Sequence, residues 1–557
     1  MSADSDVANF EGDDPKRARH TVILGWSNKI PSLLRQLVAH NHNEHGLQIT
    51  VVAAMEVEQM QVEINHHMDD LVGTSLKLIC GSRLDTQILR KASIDTAQAV
   101  IILAESQDAE ESDELAVIIV IKILKVVDTA HFRGHIVVEV HDVENEPWIK
   151  QAGRGLVETV VAKEVITRLM VQCARQSGVA QIWRDILGSE RVEFYIQRWP
   201  ELDGMRFSNA LISFPDAIPC GVKVASRRGK IVLNPDDDYI LGEGDEVIVI
   251  AADHDSYTPS TSTSVAQVFP LRSPIEVEQA KPVKKILFCG WQSDMDDMVS
   301  ILDHVLRRGS ELWIFSEEPQ EEREKRFNEK GIVVADLENV KLSHYSGEAT
   351  RKKDLEALPL ETFDSILLVA DGGASFDAEQ ELLSTLILIK SIQASRMPYR
   401  EARAVHMLPA GNSKSSWIDE LQHNSAQSII VSEVLNARTR QVLGQAGSHD
   451  SQEIEISDEM VSMALAMVAE DRRIGGVLDE LFAEQGNEMV MRPAEVYFDQ
   501  EEELSFFDIM VRGRQRREIV IGYHSLFEDT PVINPCHKAV KKKWSFQDSF
   551  IALVERQ

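Results

Sequence analysis

The chain has 557 residues, of which 43% are hydrophobic, and carries a formal net charge of −32 at pH 7. That length predicts roughly three to four domains of about 150 residues, each with its own core. The acidic balance argues against nucleic-acid binding, and five cysteines without a CxxC pair argue against a disulfide framework or a zinc ribbon and favour a reducing compartment.

The N-terminal residues 1–19 are predicted to form a disordered lead-in, because they are polar and acidic and lack the apolar core of a signal peptide. The strongest apolar run of the chain, AVIIVIKILKVV from Ala116, is short and is interrupted by Lys122. A membrane-spanning helix needs about 20 nearly continuous apolar residues. The chain is therefore not expected to cross a bilayer itself.

Residues 20–150 contain short apolar runs that alternate with amphipathic segments. The runs are TVILGW, LQITVVAA, LKLIC, AQAVIILAE and HIVVEV. Runs rich in Val and Ile without strict polar alternation are typical of parallel strands whose sheet is covered by helices on both faces. The pattern predicts a Rossmann-like, doubly wound α/β domain.

The pattern changes over residues 151–189, where VETVVAKEVITRLMVQCARQ from Val157 and VAQIWRDIL from Val179 predict long amphipathic helices that connect two domains. Residues 190–255 contain the β-type runs FYIQRW, VKVAS, KIVLN and EVIVIA, divided by turn signals. These runs predict a separate small β lobe. Residues 256–282 begin with a stretch rich in Ser, Thr and Pro, which predicts a linker.

The second half of the chain repeats this order. A Gly-Trp pair follows the first strand-like run of each half, at Gly25-Trp26 and at Gly290-Trp291, and an apolar helix follows both pairs. The repeat predicts three further segments, namely a second Rossmann-like domain at 283–445, connecting helices at 446–485 and a second β lobe at 486–557. The predicted fold class is α/β, with two tandem Rossmann-like parallel-sheet units, each followed by helices and a small β-rich lobe.

A dinucleotide site would show G-x-G-x-x-G at the first strand-to-helix turn, because its glycines let the backbone approach a pyrophosphate. Only the first glycine is present here, and Gly25, Trp26 and Ser27 form a degenerate version of that loop. These residues are the candidates for cofactor binding. Tight binding of NAD is not expected, although an adenine nucleotide held in another way stays open.

Signatures of common hydrolases and zinc enzymes are missing from the sequence. It contains no G-x-S-x-G elbow, no H-E-x-x-H pair and no CxxC motif. Nucleophilic and zinc-based catalysis therefore lack a starting set of residues, and the chain is not expected to be an enzyme.

Two short charged segments allow more than one interpretation. The basic stretch from Arg512 to Arg517 is read as solvated turns or, alternatively, as a contact with a partner or lipid. The acidic segment from Asn234 to Asp238 is read as a hairpin turn.

An acidic cluster follows the fourth strand-like run, at the edge of the sheet where open α/β sheets usually bind ligands. Its residues are Asp108, Glu110, Glu111 and Asp113. Calcium takes about six to eight oxygen ligands, so these carboxylates are candidates for a divalent metal site. The alternative is that they complement the dipole of the helix that follows.

The most distinctive stretches of the sequence include RGHIVVEV, FYIQRWPELDGMRFSNALISFPDAIPCGVKV and NPDDDYILGEGDEVIVIA. These stretches resemble the Castor and Pollux ion channels. The resemblance runs from about His20 to Thr258, and the later half matches mainly through its Gly-Trp pair, strand spacing and final β lobe. In that family a pore lies upstream of a cytosolic region built from regulator-of-potassium-conductance units.

The resemblance implies a homotetrameric gating ring in which each chain contributes two regulatory units and in which Ca2+ or a related small ligand moves the ring. It implies that helices from Val157 onward make the ring contacts, and that the membrane is a nuclear or organelle envelope. The pore that defines a channel is missing from this sequence, so a truncated product, an excised cytosolic region and a free regulatory subunit stay open. The partner is then a membrane pore segment or pore subunit, and not nucleic acid.

Two other functions compete with a regulatory ring. A nucleotide-dependent oxidoreductase would fit the predicted strand order, and it would retain NAD(H) on purification. A scaffold whose Rossmann-like units have lost all ligands would respond to neither cations nor nucleotides.

Overall fold

A computed structural model describes a large part of the chain. The described residues are 19–40, 46–67, 73–106, 108–176, 178–188, 192–254, 256–260, 283–292, 294–369, 376–407, 428–434, 453–483, 486–499, 502–525 and 530–556. The predicted lead-in and linker lie almost wholly outside these residues.

The first unit begins with a parallel sheet of six strands in the order β3-β2-β1-β4-β5-β6. Its strands are β1 (His20–Leu24), β2 (Gln48–Ala53), β3 (Ser75–Cys80), β4 (Ala99–Ile102), β5 (His135–Val140) and β6 (Val157–Val161). Its helices are α1 (Ile30–His40), α2 (Val57–His67), α3 (Thr86–Lys91), α4 (Ala109–Val126) and α5 (Glu146–Ala152). This order is that of a doubly wound sheet, the fold class that the sequence predicts, and the crossover from β3 back to β4 leaves a crevice at the carboxyl ends of β1 and β4.

The last strand of this sheet corrects a prediction. The sequence predicts one long helix from Val157, but Val157–Val161 form β6, which pairs in parallel with β5. Helix α6 (Ala162–Arg175) begins directly after it. The segment VETVV is rich in β-branched residues, and these favour a half-buried strand when a sheet edge is available.

The first lobe follows α7 (Val179–Leu187) and is an antiparallel sheet in the order β7-β10-β8-β9. Its elements are β7 (Glu193–Gln197), α8 (Phe207–Ala210), β8 (Ala217–Val224), β9 (Lys230–Leu233) and β10 (Glu246–Ala251). The four strands correspond to the four β-type runs that the sequence predicts there.

The second unit repeats the parallel sheet in the order β13-β12-β11-β14-β15-β16. Its strands are β11 (Lys285–Cys289), β12 (Ser310–Ser316), β13 (Val340–Ser346), β14 (Ser365–Leu368), β15 (Ile429–Val434) and β16 (Glu453–Ser457). Its helices are α9 (Met295–Val305), α10 (Gln320–Glu329), α11 (Lys352–Glu356) and α12 (Phe376–Met407). The two outer strands β13 and β16 were not predicted from the sequence, because their polar and alternating sequences lack the long apolar run of a central strand.

The second lobe follows α13 (Asp458–Glu470) and α14 (Ile474–Phe482), and its main sheet has the order β17-β22-β19-β20. Its elements are β17 (Asn487–Pro493), β18 (Glu503–Leu504), α15 (Phe506–Arg514), β19 (Glu518–His524), β20 (Val532–Ile533), β21 (Lys542–Lys543) and β22 (Ser549–Glu555). A 3-10 turn, Ala494–Val496, follows β17 directly.

The two units exchange helices. Helix α6 of the first unit packs against β14, β15 and α9 of the second, while α13 of the second unit packs against α1, β4 and β5 of the first. The buried Ser365 hydroxyl donates to the carbonyl of Ala174 on α6, and the buried His135 Nε2 donates to the carbonyl of Val468 on α13 at 2.8 Å. One continuous apolar core therefore includes residues of both units.

The helix exchange also covers the helices that were expected to form ring contacts. Trp183 of α7 is fully buried, and its ring stacks on Phe482 of α14 with centroids 4.9 Å apart. Helices α6 and α7 thus contact the second unit of the same chain. In the described part of the chain, no helix is both long enough and apolar enough to span a membrane.

Candidate functional site

The crevice at the carboxyl end of β1 is shaped by Gly25. This glycine has a φ of +114°, and its N–H donates to the Val52 carbonyl at 2.9 Å. A Cβ at this position would lie 2.8 Å from Nη1 of Arg83 and 3.1 Å from Oε1 of Glu105. Both the backbone conformation and the close approach therefore require glycine here.

An internal carboxylate occupies the place where a dinucleotide fold holds phosphate. The Trp26 N–H donates to Glu105 Oε1 at 2.7 Å, and Arg83 Nη2 lies 2.9 Å from Glu105 Oε2. Arg83 Nη1 also donates to the Leu103 carbonyl at 2.7 Å. Burial lowers the pKa of Arg83, and the charge of Glu105 opposes that shift. The donors that a phosphate would use are thus engaged by Glu105.

The structure brings the three predicted loop residues to this crevice, but gives them contacts within the chain. The indole Nε1 of Trp26 donates to Glu63 Oε2 at 3.2 Å, and the Ser27 hydroxyl accepts from the N–H of Lys29 at 3.3 Å. Arg83 and Glu105 were not predicted from the sequence, because their contact depends on the packing of β1, β3 and β4 and no local motif marks them.

A buried ion pair lies beside this loop and joins the two units. Lys29 Nζ lies 2.8 Å from Oε1 of Glu139, at the end of β5, and 3.5 Å from Oδ1 of Asp458, the first residue of α13. Burial lowers the pKa of Lys29, but Glu139 and Asp458 outweigh burial and raise it. The Glu139 side chain is fully buried and also accepts from the Ala104 N–H at 3.1 Å. The Lys29 side chain therefore links the first sheet to a helix of the second unit.

Of the predicted metal ligands, Asp108 and Asp113 have structural roles at α4. Asp108 is the N-cap, and its Oδ1 accepts from the Glu111 N–H at 3.1 Å. Asp113 is 2% exposed, and its carboxylate accepts from the N–H groups of His141 and Asp142, both at 3.0 Å. Asp113 thereby fixes the turn that follows β5.

The remaining two candidates, Glu110 and Glu111, lie exposed in the first turn of α4. The Ser106 hydroxyl donates to Glu111 Oε2 at 2.9 Å. Among the described residues, no group of three or more His, Cys, Asp and Glu side chains is arranged to hold a metal ion. The cation site at this cluster stays a prediction. In the structure Asp108 caps the N-terminus of α4, and Glu110 and Glu111 lie where carboxylates complement the helix dipole.

The acidic and basic segments that the sequence analysis singled out meet each other across the two lobes. Arg514 Nε donates to Asp237 Oδ1 at 2.6 Å, and its Nη2 donates to the Pro235 carbonyl at 2.7 Å. In return, Asn234 Nδ2 donates to the Arg517 carbonyl at 2.7 Å. The basic stretch thus has a partner within the same chain.

A second contact between the lobes involves Asn534 and Lys538 of the second lobe. Asn534 Nδ2 donates to the Asp216 carbonyl at 2.9 Å, and Lys538 Nζ donates to the Pro215 carbonyl at 2.8 Å. Asn234 and Asn534 hold matching left-handed conformations, with φ of 48° and 49°. Each lobe therefore donates a hydrogen bond from an asparagine side chain to a backbone carbonyl of the other lobe.

One helix face carries exposed apolar side chains. Ile118 and Ile121, on the outer face of α4, are 46% and 42% exposed. Trp148, on the adjoining helix α5, is 68% exposed. We call these three residues the α4–α5 surface. Ile118 and Ile121 are three residues apart and so share one face of α4, and exposed apolar patches mark interaction sites more often than scattered single residues do.

Two family models match the chain. Residues 163–267 match the model described as "Castor and Pollux, part of voltage-gated ion channel". Residues 16–149 match the model described as "Calcium-activated potassium channel slowpoke-like RCK domain". These matches lie in the first unit.

Curated relatives match nearly the whole chain. "Ion channel POLLUX" of Lotus japonicus is 49% identical over 538 residues, which are 96% of this chain and 58% of the relative. "Ion channel CASTOR" of Lotus japonicus is 48% identical over 541 residues, which are 97% of this chain and 62% of the relative. The chain thus spans about 60% of the length of the curated relatives it matches.

A solved structure shares the fold. The structure titled "Structure of the human SLO3 gating ring" superposes with a TM-score of 0.61 at 12% sequence identity. The match covers 97% of this chain and 100% of that chain. The arrangement of two tandem Rossmann-like units with their lobes is therefore found in a known gating-ring chain.

Proposed function

Because this chain belongs to the Castor and Pollux family of ion channels, we propose that it is the ligand-sensing, regulatory part of a cation channel. In this proposal it forms part of a gating ring that acts on a pore supplied by another segment or subunit. The observation that carries the proposal is the helix exchange between its two units. A ligand that moves one unit must also move the α6 or α13 helix packed against the other.

The energetic requirement for such a device is modest. A ligand shifts a gate only by the difference in its affinity for the open and closed rings, and a tenfold shift needs about 1.4 kcal/mol. Several equivalent sites in one ring would add their contributions. A small difference in affinity between the open and closed rings at each site is therefore enough.

We assign the contact between copies of the chain to the α4–α5 surface. The occupant is a second copy, because the chain shares its fold with a gating-ring chain and because Ile118, Ile121 and Trp148 are exposed apolar residues on adjoining helices. The proposed assembly is a tetramer. Such a ring would place the chain at a membrane through its partner pore, with its units in a reducing compartment, where the five free cysteines would stay reduced.

Calcium is the effector in this proposal. Its support is the net charge of −32 and the exposed carboxylates of Glu110 and Glu111 in the first turn of α4. A ligand that binds the folded ring raises the melting temperature by mass action. NAD is not the effector in this proposal, and the hydrogen bond from the Trp26 N–H to Glu105 in the crevice supports that choice.

The test is the mass and melting temperature of the purified chain, with and without millimolar calcium. We expect a species of four chains that calcium stabilises. The variant Ile118→Glu/Ile121→Glu should dissociate to monomers, whereas Val540→Glu, at a residue 63% exposed on the second lobe, should not. A wild-type monomer that is indifferent to calcium would overturn the proposal and favour the scaffold function.

A further inference from the structure

A cleft of about 250 Å³ opens between the two units. One side is formed by β6 and α6 of the first unit, and the other by α13 and α14 of the second. Its apolar walls include Val165 of α6, Val468 of α13, and Leu478 and Phe482 of α14. Any molecule in this cleft would touch both units.

Carboxyl groups from both units line the same cleft. Glu146 and Glu164 belong to the first unit, and Asp479 belongs to α14 of the second. Lys150 Nζ lies 2.7 Å from Glu146 Oε1 and 3.9 Å from Asp479 Oδ2, and Arg168 Nη2 lies 3.6 Å from Glu164 Oε1. Glu146 is thus closely paired, whereas Asp479 and Glu164 have only distant partners among these cations.

The electrostatics of the cleft favour a positive charge. Partial desolvation inside the cleft raises the pKa of Asp479 although the side chain stays open to solvent, and Glu146, Glu158 and Glu164 raise it further against the effect of Lys150. The pKa of Glu164 is also raised, first by burial. The Asp479 side chain is 60% exposed, so a solute can reach it. A cation between these carboxylates would relieve their mutual repulsion.

The shape of the cleft favours an organic cation over a bare metal ion. Hard metal ions need several oxygen ligands at short range, and among the described residues no group of three or more candidate ligand side chains is so arranged. The apolar walls instead suit a hydrocarbon stem. Gly475 lines the cleft and has no side chain to fill it. A Cβ at this position would lie no closer than 3.7 Å to the neighbouring atoms, so an alanine would fit there.

Helix α7, which is the equivalent of α14 in the first unit, carries different side chains at the positions aligned with those that line the cleft. Aligning α7 (VAQIWRDIL) with α14 (IGGVLDELF) places Ala180 opposite Gly475 and Arg184 opposite Asp479. The acidic side chain and the side-chain-free wall therefore occur on α14 and not at the aligned positions of α7.

We propose that this cleft binds a small organic cation, with a primary ammonium group between Asp479 and Glu164 and a short apolar stem against Val165 and Phe482. The inference rests on the proposed ligand-sensing function and assigns it a second effector class and a site. Because the carboxylates come from different units, the bound cation draws α14 toward α6. Binding would thereby bias the relative position of the two units.

The test uses the full chain and a matched pair of probes, phenethylammonium and the neutral 2-phenylethanol, in calorimetric titration and thermal-shift measurements. We expect the ammonium probe to bind and to stabilise the chain, and the alcohol to bind at least several-fold more weakly. Asp479→Asn should weaken binding of the ammonium probe about fivefold, as expected for loss of one partly exposed ion pair. Glu201→Gln, at an exposed residue of the first lobe, is the control and should bind as the wild type does.

A second pair of variants tests the shape of the cleft independently of charge. Gly475→Val should block binding, whereas Gly475→Ala should retain most of it, and both can be checked for folding by their melting temperatures. Equal binding of the two probes, or no binding of the ammonium probe up to millimolar concentration, would overturn the inference. The mass measurement separates the two proposals. If the chain forms a ring that does not bind the ammonium probe, only the proposed cation site is wrong. If the chain is a monomer that binds the probe, only the proposed ring is wrong.

Discussion

The two Rossmann-like units place opposite charges at equivalent positions. Lys29 lies four residues after Gly25 and contacts Asp458 at the start of α13, with 3.5 Å between Nζ and Oδ1. Asp294 lies four residues after Gly290 and contacts Lys163 at the start of α6, also with 3.5 Å between Oδ1 and Nζ. The same turn thus presents a cation in one unit and a carboxylate in the other.

This reversal favours the pairing of unlike units. If the first unit met a copy of itself in the same geometry, Lys29 would face the turn of α6 that carries Lys163. If the second unit did so, Asp294 would face Asp458. Each of these contacts would bring like charges together, whereas the observed pairing brings unlike charges together twice. The two units thus share one strand order, and a few charges at equivalent positions favour the pairing of one unit with the other.

The largest expected effect is at Lys29, whose removal leaves Glu139 buried and without its cation. Lys29→Met should lower the stability of the chain by about 3 kcal/mol, as is typical when one partner of a buried ion pair is removed. Urea unfolding followed by fluorescence measures this loss. Arg206→Met is the control, since Arg206 and Asp238 form an exposed pair and their loss should cost almost nothing. Equal effects in the two variants would mean that the buried link between the units is energetically unimportant.

A smaller effect is expected on the other side of the comparison, where Asp294 is buried and Lys163 is 43% exposed. Asp294→Lys should destabilise the chain by about 2 kcal/mol, because it sets two ammonium groups against each other and removes the acceptor of the Thr167 hydroxyl, 2.5 Å away. Adding Lys163→Asp should restore about 1 kcal/mol. The measurement is a double-mutant cycle on the unfolding midpoint, and strict additivity of the two changes would contradict a direct contact.

The sequence predicted more of the fold than of the site. Val- and Ile-rich runs marked the central strands, since strands buried on both faces need no alternation, but the outer strands β13 and β16 carry mixed sequences and were missed. The loop from Gly25 to Ser27 was selected as a candidate because one glycine of a known motif is present there. Glu105, Glu139 and Asp479 were not predicted. Their contacts come from distant segments of the chain, and no local spacing in the sequence indicates such contacts.

The smallest effect is expected where the lobes meet, because this contact is partly exposed. Arg514 is buried, but its partner Asp237 is 46% exposed, so Asp237→Asn should cost only about 0.5–1 kcal/mol. The Pro235 carbonyl still accepts from Arg514 in that variant and limits the loss. Thermal unfolding at low and high salt measures it, with Asp238→Asn as the neighbouring control, because the Asp238 side chain is 85% exposed. The difference between the two variants should shrink as salt screens the charge, and a difference that is independent of salt would assign the contact to hydrogen bonding alone.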